Sequence, residues 1–216
     1  MKAKFIYEKF TDESDPIHDM GIGVESKYKE YAKLCNFKRI TNKENVQIVQ
    51  YLINDIFAKD YDEQEGLNLL NYILKTKIQD INDRQLSDEI IDTIKTKNEI
   101  PLRIKLIDIF IKNGLDIHCA DDRIFLHSIY NAEGILAISE YLLKLGANIN
   151  AKQGEALIDA IAEANDVKIR FLFKHGLVIN NTELAIEFLK YVIDYNIKDL
   201  IPMAISKYVK LNNIKL

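Results

Sequence analysis

Apolar residues recur at helical spacing in one segment that the chain repeats. In Ile138 to Asn150 (ISEYLLKLGANIN) they fall at i, i+3, i+4 and i+7, which is one face of a helix with 3.6 residues per turn. Gly146 follows, and glycine readily takes the left-handed conformation that ends many helices. We therefore expect a helix that ends at Gly146. Its buried face should carry Ile138, Tyr141, Leu142 and Leu145.

Two further segments carry the same pattern, namely Leu106 to His118 (LIDIFIKNGLDIH) and Ile169 to Asn180 (IRFLFKHGLVIN). The anchoring glycines, Gly114, Gly146 and Gly176, are 32 and 30 residues apart. In each copy the third, fourth and fifth residues before the glycine are apolar, and the third residue after it is isoleucine. A period of roughly 30 to 35 residues is typical of stacked helical repeats.

The segment LLKLGANIN, from Leu142 to Asn150, resembles the second helix and following turn of an ankyrin repeat. Phe125-Leu126-His127 and Ala156-Leu157-Ile158 stand where that family has Pro-Leu-His at the start of its first helix. The resemblance covers about residues 41 to 212 and is clearest from 102 to 180, although no Thr-Pro-Leu-His tetrapeptide is intact and the spacing is unequal. It implies an all-α solenoid of ankyrin-like helix-turn-helix units.

We expect five units, over about residues 41–81, 82–118, 119–150, 151–180 and 181–212, after a non-repeat N-terminal cap over residues 1–40. A capping box at Thr41 to Glu44 predicts a helix to about Ala58, with Val46, Val49, Ile53 and Ile56 buried. An acidic linker, Asp60 to Glu65, then precedes a helix from Leu67 to Thr76. Between paired helices, Asn165 and Asn196 stand at corners that favour a left-handed residue.

Composition narrows the class of partner. The net charge of −4 and the pI near 5.7 argue against a nucleic-acid binder, because such proteins gain most of their affinity from cationic contacts to phosphate. No apolar run approaches the roughly 18 to 20 residues that cross a bilayer. The two cysteines, Cys35 and Cys119, suggest no disulfide framework. We expect a cytoplasmic monomer, in its own cell or in a host cell.

Candidate catalytic and metal-binding residues are sparse. The resemblance implies a structural role for His127, since that side chain usually bonds to backbone in the family. His118 and Cys119 are neighbours, which is a poor start for a zinc site. No serine stands in a Gly-x-Ser-x-Gly turn, and Gly21-Ile22-Gly23 lacks the other glycines of a dinucleotide fingerprint. We expect no catalytic residue, no metal and no cofactor.

One alternative remains for residues 1–40. An enzyme or metal-dependent domain could carry its chemistry there, with Asp15, His18 and Asp19 as the reacting residues. A solvated acidic loop explains the same residues without any chemistry, since their spacing is not that of a calcium loop. A packed cap would instead bury Phe5, Tyr7 and Phe10.

The remaining hypothesis is a non-catalytic module that binds another protein through the concave face that the resemblance implies. A narrower version is an inhibitor, effector or immunity-type protein that sequesters one partner. Arg123 and Tyr130 are the first candidates, because arginine and tyrosine most often anchor interfaces; simple exposure is the alternative for each residue. The predicted partner-binding residues are Asp121, Asp122, Arg123, Tyr130, Asn131, Lys152, Gln153, Glu155 and Glu163.

Overall fold

A computed structural model describes residues 42–58, 62–78, 80–82, 91, 99–130 and 136–211 of this protein. Within these ranges the chain forms nine α-helices, one short 3₁₀ helix and no strand. The all-α prediction is therefore confirmed for the described residues. The chain divides into two compact units, Met1–Asp116 and Ile117–Leu216. The predicted cap over residues 1–40 lies outside the described part of the chain.

The described helices of the first unit are α1 (Asn42–Ala58), α2 (Glu63–Thr76) and α3 (Ile100–Lys112). Helix α2 packs against both α1 and α3. All four residues of the predicted apolar stripe on α1 are buried, because their spacing puts them on the side that meets α2. Pro101 lies in the first turn of α3, where a missing N–H costs no hydrogen bond.

Helix α2 begins one turn earlier than the sequence pattern predicts. Asp62 is its N-cap, and the Asp62 carboxylate accepts a hydrogen bond from the Glu65 N–H. Glu63 and Glu65 then lie in the first turn, where negative charge is favourable to the helix dipole. The predicted acidic linker is wrong at this point, because these acids start the helix instead of separating two helices.

The described residues of the second unit form three helix pairs. The first helices of the three pairs are, in chain order, α4 (Cys119–Tyr130), α6 (Glu155–Ala162) and α8 (Thr182–Asp194). The second helices are, in the same order, α5 (Ala137–Lys144), α7 (Asp166–Lys174) and α9 (Ile201–Leu211). The 3₁₀ helix Ala151–Gln153 precedes α6. Each first helix packs against its own second helix, and α6 also contacts α4 and α8. The three first helices therefore form one layer.

The three repeated glycines end their helices as predicted. Gly114, Gly146 and Gly176 have φ values of 101°, 104° and 96°. In each case the next N–H donates to the carbonyl of the fourth residue before the glycine, at 3.0 Å (Leu115 to Phe110, Ala147 to Leu142, Leu177 to Leu172). All three accepting residues are fully buried. The glycine conformation and the buried residue four positions earlier thus belong to one helix-ending motif.

Two details of the predicted pattern are wrong. Leu145 is 41% exposed, because it is the C-cap residue where the chain leaves the helix. Asn196 is left-handed, with φ 53°, but at the preceding corner the left-handed residue is Ala164, with φ 51°. Asn165 instead caps α7, where its side chain accepts from the Lys168 N–H at 3.1 Å.

Candidate interaction surface

A left-handed turn leads into two of the first helices. Ala120, Asp121 and Asp122 have φ values of 51°, 58° and 57°, so right-handed helix begins only after them in α4. The residues 32 positions later, Lys152, Gln153 and Gly154, have φ values of 46°, 60° and 94°. This matched backbone places Asp122 and Gly154 at equivalent positions in two consecutive copies.

Each repeated glycine is also followed by a hydrogen bond from a backbone N–H to a side chain earlier in the chain. The donor is always the N–H two residues after the repeated glycine. The Asp116 N–H donates to Asn82 Oδ1 at 2.6 Å, and the Val178 N–H donates to Asn150 Oδ1 at 2.8 Å. Asn82 also donates through Nδ2 to the carbonyl of Gly114 at 2.9 Å. We call these contacts the amide junctions.

The equivalent contact between them uses a carboxylate. His118 occupies the position held by asparagine in the amide junctions, and its side chain does not supply the oxygen. Asp122 supplies it, accepting from the Asn148 N–H at 2.7 Å while His118 Nδ1 lies 3.0 Å from the same carboxylate oxygen. Asp122 is 5% exposed. We call this contact the carboxylate junction, and it gives Asp122 a structural role.

The exposed side of the first-helix layer repeats with the same step. On α6 the stripe is Glu155, Ile158, Asp159 and Ala162, and Ile158 is 43% exposed. The corresponding stripe on α4 includes Arg123, His127 and Tyr130, and Tyr130 is 56% exposed. The first-helix surface, as we call it, consists of Arg123, His127, Tyr130, Glu155, Ile158, Asp159, Ala162, Glu183, Glu187, Lys190 and Asp194.

Local contacts hold part of this surface in place. Arg123 Nε donates to His127 Nε2 at 3.0 Å, so the accepting ring nitrogen of His127 is the unprotonated one. Lys152 Nζ lies 3.2 Å from Glu155 Oε2. These pairs are partly exposed, so each contributes at most about 1 kcal/mol to folding. They fix side-chain positions more than they stabilise the unit.

A buried lysine lies at one edge of the surface. Lys168 is 3% exposed, and its Nζ contacts Glu163 Oε2 at 2.5 Å and the carbonyl of Tyr130 at 3.0 Å. The ammonium group therefore neutralises Glu163 and also satisfies a carbonyl at the C-terminal end of α4. Because Lys168 occupies the Glu163 carboxylate, Glu163 has a structural partner within the unit.

Charge is divided unequally between the first and second helices. Helices α4, α6 and α8 contain seven carboxylates and two lysine or arginine residues, a formal charge of −5. Helices α5, α7 and α9 contain two carboxylates and six basic residues, a formal charge of +4. The small net charge of the whole chain conceals this division, which the sequence shows only once the helices are sorted by layer.

The carboxylates of the two groups also differ in their partners. On the second helices, Glu140 pairs with Lys144, and Asp166 pairs with Arg170. On the first helices, five of the seven carboxylates form neither a hydrogen bond nor an ion pair within the described part of the chain: Asp121, Asp159, Glu183, Glu187 and Asp194. The first-helix layer therefore presents acidic groups that form no ion pair with any of the described residues.

Asp159 shows the electrostatic consequence. Partial burial raises the pKa of Asp159 above its ordinary value of 3.8, and the neighbouring carboxylates Glu155 and Glu163 raise it further. Lys168 and Lys152 act in the opposite direction without reversing the shift. The charged form of Asp159 is thus disfavoured in the folded protein.

The structure distributes the predicted partner-binding residues over different environments. Asp121, Tyr130, Lys152 and Gln153 are exposed, whereas Asp122 is buried in the carboxylate junction. Arg123, Glu155 and Glu163 have the intramolecular partners described above. Asn131 lies outside the described residues, as do Asp15, His18 and Asp19, so the predicted partner-binding residues stay a prediction and the alternative chemistry stays a hypothesis. No group of histidine, cysteine and acidic side chains suited to a metal ion occurs among the residues that the structure covers.

Sequence reasoning missed several residues of this surface. Ile158, Glu183 and Glu187 were not among the predicted residues, although the first helices repeat with a step of 32 that carries Arg123 onto Glu155 and Glu155 onto Glu187. Applying that step to the predicted residues would have found Glu187. Ile158 and Glu183 lie 32 residues after Leu126 and Ala151, which are buried, so the step does not lead to them. The burial of Lys168 has no such signal, because it depends on the distant carbonyl of Tyr130.

Comparisons with known proteins supply no identity. No protein-family model, no curated protein and no solved structure matches this chain. Among the described residues, no helix has the length and apolar character needed to cross a membrane. The function must therefore be argued from the surface itself.

Proposed function

We propose that this protein is an ankyrin-like helical-repeat module that binds a partner protein through its first-helix surface and catalyses no reaction. The observation that carries the proposal is the recurrence, at a step of 32 residues, of the left-handed turn at the start of α4 and before α6, together with the hydrogen bond that follows each repeated glycine. Repeated units of this kind serve as scaffolds for extended binding surfaces.

The surface has the properties of a protein interface. It combines an exposed aromatic residue, Tyr130, and an exposed aliphatic residue, Ile158, with charged side chains around them. Interfaces typically surround apolar anchors with polar groups. The proposal includes a cytoplasmic monomer, in its own cell or in a host cell, and extends to the narrower role of sequestering one partner as an inhibitor, effector or immunity-type protein.

The test is quantitative affinity capture with the full chain and two variants, followed by mass spectrometry. Arg123→Glu with Tyr130→Ala alters the first-helix surface. Lys174→Glu with Val178→Ala is the matched control, because both residues are exposed elsewhere in the second unit. We expect one dominant partner that the first variant loses by at least about tenfold and the control retains.

Both variants should first show the wild-type thermal unfolding profile. Equal capture by the wild type and the first variant would exclude Arg123 and Tyr130 as anchors. Failure to capture any specific protein, from the lysate of its own organism or of a host, would contradict the interaction module itself.

A further inference from the structure

We infer that the segment of the partner that contacts the first-helix surface is basic and carries an apolar residue. This inference rests on the proposed function, since it names the chemistry of the partner at the same surface. Its basis is the uncompensated charge of the first-helix layer, which the second helices do not share.

Among the described residues, Glu155 is the carboxylate of α6 and α8 that pairs with a lysine, Lys152. The other carboxylates of these two helices form no ion pair there. Glu183 and Glu187 are exposed and one helical turn apart, and Asp159 lies on the adjacent helix α6. Like charges at this spacing repel one another within a helix. A cationic partner would remove that repulsion, and its approach would be accelerated by the attraction.

The acidic charge of the surface would attract any cation. The exposed apolar residue on the same stripe indicates that the partner segment also carries an apolar side chain. Ile158 precedes Asp159 and is 43% exposed, although its neighbours Leu157 and Ala160 are fully buried. An isoleucine at this position adds favourable energy only if a partner covers it. Lysine or arginine residues flanking an apolar side chain would meet Asp159, Glu187 and Ile158 together.

The environment of Asp159 supports this assignment. Its pKa is raised by partial burial and by Glu155 and Glu163, so its ionised form gains more from a cation than a fully hydrated carboxylate would. An acidic segment would add to the repulsion that already raises the pKa of Asp159. A basic segment reverses it.

The experiment uses two synthetic amphipathic peptides with one apolar pattern, one with lysine and the other with glutamate at the polar positions. Binding to the full chain is measured by fluorescence anisotropy at low and near-physiological salt. We expect the lysine peptide to bind at least about tenfold more tightly than the glutamate peptide, with the difference narrowing as salt screens the charges.

Two charge-matched variants locate the binding. Asp159→Asn with Glu183→Gln and Glu187→Gln removes three negative charges from the first-helix surface. Glu140→Gln with Asp166→Asn and Asp199→Asn removes three from the second-helix side. We expect the first variant to weaken binding of the lysine peptide by about tenfold and the second by less than about twofold. Equal effects would mean attraction to net charge only and would overturn the inference.

Affinity capture distinguishes failure of this inference from failure of the proposed function. A captured partner that contacts the first-helix surface through an acidic or uncharged segment would overturn the inference and leave the proposed function intact. Binding of neither peptide, together with no captured partner at this surface, would overturn both. An Ile158→Ser variant that leaves binding of the lysine peptide unchanged would remove the apolar part of the assignment.

Discussion

The amide junctions and the carboxylate junction provide a hydrogen-bond acceptor for the same backbone position with different side chains. In each, the N–H two residues after a left-handed glycine needs an acceptor from an earlier part of the chain. Asn82 and Asn150 provide it from the position after a repeated isoleucine, whereas Asp122 provides it from four residues beyond His118. The geometry of the donor is thus kept while the identity of the acceptor changes.

Gly154 is one reason that the two copies use different acceptors. It is equivalent to Asp122, and a Cβ atom there would lie 2.9 Å from Leu184 Cδ2. Real Cβ atoms essentially never make so close a contact, so a side chain at position 154 would require the Leu184 methyl group to move, in addition to the strain of the left-handed backbone. Asn150 supplies the acceptor in that copy, while Asp122 supplies it near the start of α4.

The largest expected effect comes from placing a side chain at position 154. Gly154→Ala should destabilise the protein by about 2–4 kcal/mol, because it combines left-handed strain with overpacking against Leu184. Gly146→Ala is the control, since its φ is also positive but no atom lies within 4 Å of the added Cβ. Urea unfolding should give a loss of only about 1–2 kcal/mol for the control. Equal losses would contradict the steric account.

Removal of the carboxylate acceptor comes next. Asp122→Ala should cost about 1.5–3 kcal/mol, because the Asn148 N–H loses a charged acceptor in a largely buried setting. Asp121→Ala is closely matched, since Asp121 has the same charge and φ but is exposed. We expect it to change the free energy of unfolding by less than about 0.5 kcal/mol.

Conversion of the carboxylate junction into an amide junction tests the comparison directly. In the Asp122→Ala background, His118→Asn should recover about 1 kcal/mol, since asparagine at 118 can accept from the Asn148 N–H as Asn150 accepts from Val178. The measurement is a double-mutant cycle of unfolding free energies. Additive effects of the two substitutions would show that the positions do not share this role.

An amide junction should be worth less than the carboxylate junction. Asn150→Ala is expected to cost about 0.5–1.5 kcal/mol, the usual net value of a neutral hydrogen bond. Asn180, the residue after the next repeated isoleucine, forms no hydrogen bond within the described residues and provides the control. Thermal unfolding of Asn180→Ala should match the wild type, and an equal loss in both variants would show that the loss does not come from the amide junction.

The smallest effect concerns a carboxylate outside the junctions. Since folding raises the pKa of Asp159, the folded state favours its protonated form, and stability falls as pH rises from 3.8 through the higher folded pKa. Asp159→Asn should therefore stabilise the protein at pH 7 by a few tenths of a kcal/mol after allowance for solvent screening. The difference should vanish at acid pH, and a pH-independent difference would exclude this cause.

Local sequence rules predicted much of the described fold. The apolar spacing on α1 and the glycines after α3, α5 and α7 mark helix faces and helix ends, because the 3.6-residue period and the left-handed C-terminal residue depend on neighbours in the chain. Asp62 was misjudged since an acidic run has the same composition in a linker and in the first turn of a helix.

The candidate surface was predicted in outline only. The repeat pattern predicted Arg123, Tyr130 and Glu155 as partner-binding residues, and all three lie on the first helices. Asp121 and Asp122 were both predicted to bind the partner, yet Asp121 is exposed and Asp122 is buried. Their difference comes from the Asn148 N–H, which is 26 residues away from Asp122 in sequence.

The helix ends and the apolar faces of the helices can be read from the sequence, since these properties follow from local backbone preferences and side-chain periodicity. The tertiary structure decided which polar groups are consumed inside the protein and which remain available to a partner. Asp122 and Lys168 are buried because distant backbone groups reach them, whereas Asp159 and Glu187 form no ion pair within the described part of the chain. Such pairings depend on contacts between residues far apart in sequence, and no local pattern encodes them.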